Sequence, residues 1–117
     1  MAKKVLVLIK EGPYGTFFAG EAFRFGISCS TMGLETSIVL LEDGVYAALK
    51  GQSPEEINMK SLEMAFSSVK DAGMNLYVDS ESLERRGISR DRIIDADVVD
   101  NEGLRELIDE SDVVSIF

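Results

Sequence analysis

The run Val5-Leu6-Val7-Leu8-Ile9 is apolar at all five positions. A strand with one wet face alternates, whereas an unbroken run is what a central strand of a parallel sheet shows when helices cover both of its faces. Downstream, Gly12-Pro13-Tyr14-Gly15 breaks the chain. Thr16 then stands where it can cap a helix whose apolar positions Phe18, Ala22, Phe25, Cys29 and Met32 recur by four and three.

The same punctuation repeats along the chain. Gly33 ends the first helix, Thr36 to Leu41 reads as a second buried strand, and Glu42-Asp43-Gly44 is a turn before a short helix over Val45 to Leu49. Ser53 as N-cap, Pro54 at the first helical position and the acids Glu55 and Glu56 open a helix expected to run to about Ala72. Its stripe is Met59, Leu62, Ala65, Phe66 and Val69, and Gly73 closes it. Asn75 to Val78 is a third strand. Asp79 or Ser80 starts a short helix through Arg86 that Gly87 stops, and strands at Ala96 to Val99 and Val113 to Ile116 bracket a helix over 101 to 110. Strand and helix alternate throughout, which predicts a single α/β domain: a three-layer sandwich on a parallel sheet of about five strands.

Composition narrows the chemistry. The 117 residues make room for one core, and 45% hydrophobic residues suffice to build it. Twelve basic residues against twenty-one acidic ones leave a formal charge of -9, which repels phosphate backbones and anionic membranes, so no direct nucleic-acid or membrane binding is expected. With no His in the chain, imidazole bases, Ser-His-Asp triads and histidine metal sites are excluded. The single Cys excludes an intrachain disulfide or a CxxC centre. No apolar run approaches the roughly 20 residues of a membrane span, and a cytoplasmic location is the expectation.

Several residues invite a chemical reading beside a plain one. The loop Gly12, Tyr14, Gly15 and Thr16 lies between a strand and a helix, where backbone N–H groups can hold an anion or a flavin phosphate. It lacks the lysine of a Walker loop and the third glycine of a dinucleotide fingerprint, and a tight turn accounts for it equally. Cys29 shares the helical stripe of Phe25 and Met32, which points to burial and an inert thiol. Glu11, Glu42, Asp43 and Asp79 follow strand ends, the edge where open α/β sheets bind ligands, and solvated loop acids are the plain alternative to Mg²⁺ ligands. Arg85 and Arg86 read as a solvated helix face. Phe17, Phe23 and Ile27 widen the apolar surface of the first helix beyond one stripe, which suggests a subunit interface.

An ordered series of short motifs goes further: Gly12-Pro-Tyr-Gly-Thr16, Leu41-Glu-Asp-Gly-Val-Tyr46, Lys50-Gly-Gln-Ser-Pro54, Ser82-Leu-Glu-Arg-Arg-Gly87 and Ser111-Asp-Val-Val-Ser-Ile-Phe117. In this order they resemble the DsrE/DsrF-like sulfur-relay family, and the DsrF and TusC branch most closely. The resemblance implies a flavodoxin-like subunit that assembles with DsrE/TusD-like and DsrH/TusB-like sisters, or with itself, to pass persulfide sulfur toward tRNA 2-thiouridine or through sulfur oxidation. It also implies that the sulfur-carrying Cys of those subunits that have one stands eight residues before the Gly that ends the short helix, and counting back from Gly87 gives Asp79. The resemblance thus reads the chain as a subunit without its own carrier thiol, catalytic residue, metal or cofactor. The alternative is a small ligand-binding protein or enzyme that uses the strand-end acids and the Gly12 to Thr16 loop for a metal, nucleotide or flavin.

Overall fold

Five parallel strands lie side by side in the order β4-β3-β2-β1-β5, so the run that begins at Val5 sits inside the sheet with a neighbour on each edge. A computed structural model describes residues 3–14, 17–52 and 61–117. The strands are β1 (Lys4–Ile9), β2 (Glu35–Leu40), β3 (Asn75–Asp79), β4 (Asp97–Val99) and β5 (Val113–Ile116). The α-helices are α1 (Phe18–Thr31), α2 (Leu62–Ser67), α3 (Ser80–Arg85) and α4 (Asn101–Glu110), and a 3₁₀ stretch, Glu42–Ala48, follows β2. The three-layer, flavodoxin-like α/β class expected from the sequence is the class observed.

The pleat divides the core. Val5, Val7 and Ile9 point into the larger cluster with α1, the 3₁₀ stretch, Phe66 of α2 and Leu83 of α3. Leu6 and Leu8 point the other way, where Val39, Tyr77, Leu104 and Leu107 meet them under α4. Each face of β1 is therefore dry, as an unbroken apolar run requires. The first three crossovers step in one direction across the sheet, and α4 carries the chain back past β1 to β5. The topological switch therefore falls between β1 and β5, the place where open α/β sheets form a ligand crevice at the carboxyl ends of their strands.

Three expectations need correction. The buried stripe of α1 is Ala19, Ala22, Gly26 and Cys29, while Phe18 and Met32 are exposed and Phe25 is half-buried. Small residues face the sheet because the helix lies close on it: a Cβ at Gly26 would stand 3.2 Å from Ile38 Cδ1. The helix over Val45 to Leu49 begins instead at Glu42 and is a 3₁₀ helix. The helix expected to reach Ala72 ends at Ser67, where the Ser67 and Ser68 hydroxyls donate to the Glu63 and Ala65 carbonyls at 2.7 and 2.6 Å and compete with continued winding. Its expected start, Ser53 to Glu56, lies outside the described residues, as does Met59. Gly73 (φ +85°) still closes the following turn, with Met74 N–H donating to Val69 O at 3.1 Å.

Candidate functional site

The carboxyl edge of the sheet carries the strand-end acids singled out above, and Asp79 is the one of them that the fold buries. It ends β3 and N-caps α3. Its Oδ2 accepts from Ser82 N–H at 3.1 Å and from the Ser82 hydroxyl at 2.6 Å, so one oxygen serves both donors of a residue three positions on. The Ser82 hydroxyl in turn accepts Glu42 N–H at 2.8 Å, which ties α3 to the start of the 3₁₀ stretch. Asp79 is 6% exposed, and its Oδ1 is buried with no hydrogen-bond partner among the described residues. Leaving such an acceptor unpaired costs about 1 to 3 kcal/mol. A pure cap would not need to bury it.

Beside Asp79, Arg86 is half-buried, which corrects its reading as a solvated face. Its guanidinium donates to Asp43 Oδ1 from Nη2 at 2.8 Å and from Nε at 3.2 Å, and to Ser82 O from Nη1 at 3.2 Å. Glu42 Oε2 lies 3.7 Å from Nη2, and the Tyr46 ring centroid is 5.9 Å from the guanidinium carbon. The Asp43 hydrogen bond, with the charges of Asp43 and Glu42, holds Arg86 above its ordinary pKa. Arg85, by contrast, stays exposed and pairs with Glu81 within α3. The strand-end acids are thus divided: Asp43 and Glu42 answer Arg86, Asp79 answers Ser82, and Glu11 is exposed. Among the described residues no three His, Cys, Asp or Glu side chains come together as a metal site.

The candidate ligand loop is built into a second network. The Tyr14 hydroxyl donates to Gln52 Oε1 and accepts from Leu62 N–H at 3.1 Å. Gln52 Nε2 donates to Ala47 O at 3.0 Å and Leu49 O at 2.9 Å, and Gln52 N–H donates to Glu63 Oε1 at 3.0 Å. Gln52 therefore terminates the 3₁₀ stretch and joins it to the start of α2, and the Tyr14 hydroxyl is occupied there. Gly15 and Thr16 lie outside the described residues. Among the described residues nothing stands within 4 Å of a Cβ placed at Gly12, and its φ is not positive.

At the switch point, Lys10, Glu11, Phe18, Ile116 and Phe117 line an open crevice of about 270 Å³. Phe17 is 81% exposed beside it in sequence. The other two residues expected at an interface are half-buried within the subunit: Phe23 meets Phe66 edge-on at 5.4 Å between ring centroids, and Ile27 packs on the same core. Cys29 is a free thiol, 7% exposed, on the sheet side of α1. Ser82 and Gln52 carry the two networks, and the sequence reading gave neither a role. The Asp79-x-x-Ser82 spacing, which is that of an N-cap and its third helical residue, is the signal that pointed to Ser82.

No described helix is long and apolar enough to cross a membrane. The chain is similar over its whole length to proteins of known name. It is 29% identical to the intracellular sulfur oxidation protein DsrF of Allochromatium vinosum, covering 100% of this chain and 98% of that one. It is 27% identical to a TusC homologue of Pseudomonas aeruginosa, covering 97% and 98% of the two chains. The crystal structure of the ychN protein from E. coli has the same fold, with a TM-score of 0.87 over 100% of both chains at 23% identity. Residues 3–116, the full sheet with every helix described above, match one family, and on that match the chain belongs to the DsrE/DsrF-like family.

Proposed function

We propose that this chain is a subunit of a sulfur-relay complex of the DsrEFH or TusBCD kind that does not itself carry sulfur. Its place is beside DsrE/TusD-like and DsrH/TusB-like sisters, in intracellular sulfur oxidation or tRNA thiolation. The single observation that carries this reading is Asp79. Holding a sulfane sulfur takes a thiolate that attacks the terminal sulfur of a donor persulfide, forming one S–S bond as the donor thiolate leaves. At the position where the resemblance expects the carrier thiol, this chain has a carboxylate held by Ser82. The one thiol it does have, Cys29, is buried against the sheet. Full-length similarity to proteins named DsrF and TusC supports the relay setting.

In the complex, Arg86 keeps the neighbouring acids Asp43 and Glu42 neutralised. The test is reconstitution. The chain is co-expressed with DsrE/TusD-like and DsrH/TusB-like subunits, purified through a tag on this chain alone, and loaded with a persulfide donor. The expected result is a stable assembly in which sulfur appears on a sister's Cys and none on this chain. Failure to retain either sister, with the sisters loading equally well in its absence, would overturn the proposal.

A further inference from the structure

Burial divides the chain unevenly. Among the described residues every buried hydrophobic side chain lies at or before Ile94, and from Asp95 to Phe117 no residue is buried. α4 rests on the sheet through the half-buried Leu104 and Leu107, which cover Leu6, Leu8 and Val39. β5 is hydrogen-bonded to one strand only, β1, and it is the last strand of the chain, so it can leave the sheet without unthreading another element. Beyond its ladder with β1 it is held at both ends. Asp112 N–H donates to Lys4 O at 2.8 Å, and Asp112 Oδ2 accepts Lys4 N–H at 2.7 Å. At the other end, Phe117 N–H donates to Leu8 O at 2.8 Å, and the Phe117 ring lies 5.7 Å from that of Phe25.

The two ends of α4 differ in the same sense. At its start, Asp100 Oδ1 accepts Gly103 N–H at 2.8 Å, and Asn101 Nδ2 donates to Glu81 Oε2 at 2.9 Å. A Cβ at Gly103 would stand 3.4 Å from Val99 Cβ, so this turn is seated on the end of β4. The last turn instead holds Asp109 and Glu110 with no base, which puts two acids at the negative end of the helix dipole. Glu102, Glu106 and Glu110 recur every four residues, and each like-charge pair at that spacing destabilises the helix. From Asp100 to the C-terminus six acids stand against one base, Arg105.

We infer that α4 and β5 form a gate, hinged at the anchored start of α4, that opens as one unit while β1 to β4 and the larger core cluster stay folded. The gate controls a cavity. Ile116 and Phe117 are two of the five residues that line the switch-point crevice, whereas Lys10, Glu11 and Phe18 belong to the part that stays. Opening takes away one wall, so the crevice exists only in the closed form. The same movement bares Leu6, Leu8 and Val39, the sheet face that α4 covers. This inference stands on packing and charge within the chain and not on the sulfur-relay reading.

Native-state amide hydrogen exchange of the full chain at one dilute concentration tests it. The amides of α4, with those of Asp112 and Phe117 that bond to β1, should exchange at one common opening rate, roughly a hundredfold faster than those of β2 and β3. Glu106→Lys, at an exposed site, turns both like-charge pairs into opposite-charge pairs. It should slow α4, Asp112 and Phe117 together by about threefold or more and leave β2 and β3 unchanged. Leu107→Ala should speed the same group by about tenfold. If that variant fails to fold, Glu106→Lys and the wild type decide. An α4 and β5 that exchange as slowly as β2 and β3 would overturn the inference. So would a Glu106→Lys effect confined to α4 that leaves Asp112 and Phe117 unmoved, because helix and strand would then open separately.

Discussion

Asp79 satisfies two donors with one oxygen and leaves the other buried and unpaired. The role of cap was legible in the sequence, since an Asp between an apolar strand and a short polar helix closed by Gly87 has few other uses. The burial was not legible, because it comes from the 3₁₀ stretch folding over β3 and handing Glu42 N–H to Ser82. Removing the cap with Asp79→Ala should cost about 1 to 2 kcal/mol, a fall of about 4 to 8 °C in melting temperature for a domain of this size. Asp79→Asn retains an acceptor for Ser82 and relieves the charge on the unpaired side, so its melting temperature should equal or exceed that of the wild type. An Asn variant that melts as low as the Ala variant would mean that the unpaired oxygen has a cationic partner in solution. Cys29 was readable for a simpler reason: its spacing from Ala22 placed it on the buried side, even though Phe18 of that expected stripe turned outward and Phe25 is only half-buried.

Among the elements, the strands were read nearly to the residue, because apolar runs flanked by Gly, Asp and Ser leave little choice of register. The 3₁₀ stretch was misread at its start. Glu42-Asp43-Gly44 has turn composition, and the decisive contact is long-range: a Cβ at Gly44 would stand 2.1 Å from Ile9 O, so the stretch lies directly on the carboxyl end of β1. That approach sets Glu42 at a φ of 51° and aims Asp43 at Arg86. No local pattern contains it. Gly44→Ala forces backbone apart from backbone and should destabilise the chain by about 3 kcal/mol, read as a lowered denaturant midpoint with an unchanged slope. An Ala variant as stable as the wild type would show that the stretch can lift from β1 at no cost. The early end of α2 was hidden for a related reason, since Ser67 and Ser68 serve as helix residues or as competitors of the helix backbone, and only the fold selects between these uses.

For the whole molecule, strand and helix alternation conveyed the class, but the order of strands did not follow from it. The order depends on where α4 crosses, which is settled by Leu104 and Leu107 covering Leu6 and Leu8. That crossing leaves β5 as an open edge and places the switch-point crevice beside Lys10 and Phe117. The acidic balance of the chain and its lack of His are compatible with the role proposed above, a subunit that leaves the group transfer to a partner's sulfur. The most direct measurement is the intact mass of the wild-type chain after incubation with a cysteine desulfurase and a persulfide donor, before and after reduction. The expected result is an unchanged mass, because the buried Cys29 cannot meet a donor and Asp79 has no sulfur with which to bond. A stoichiometric gain of one sulfur atom that is removed by reductant and absent in Cys29→Ser would contradict it.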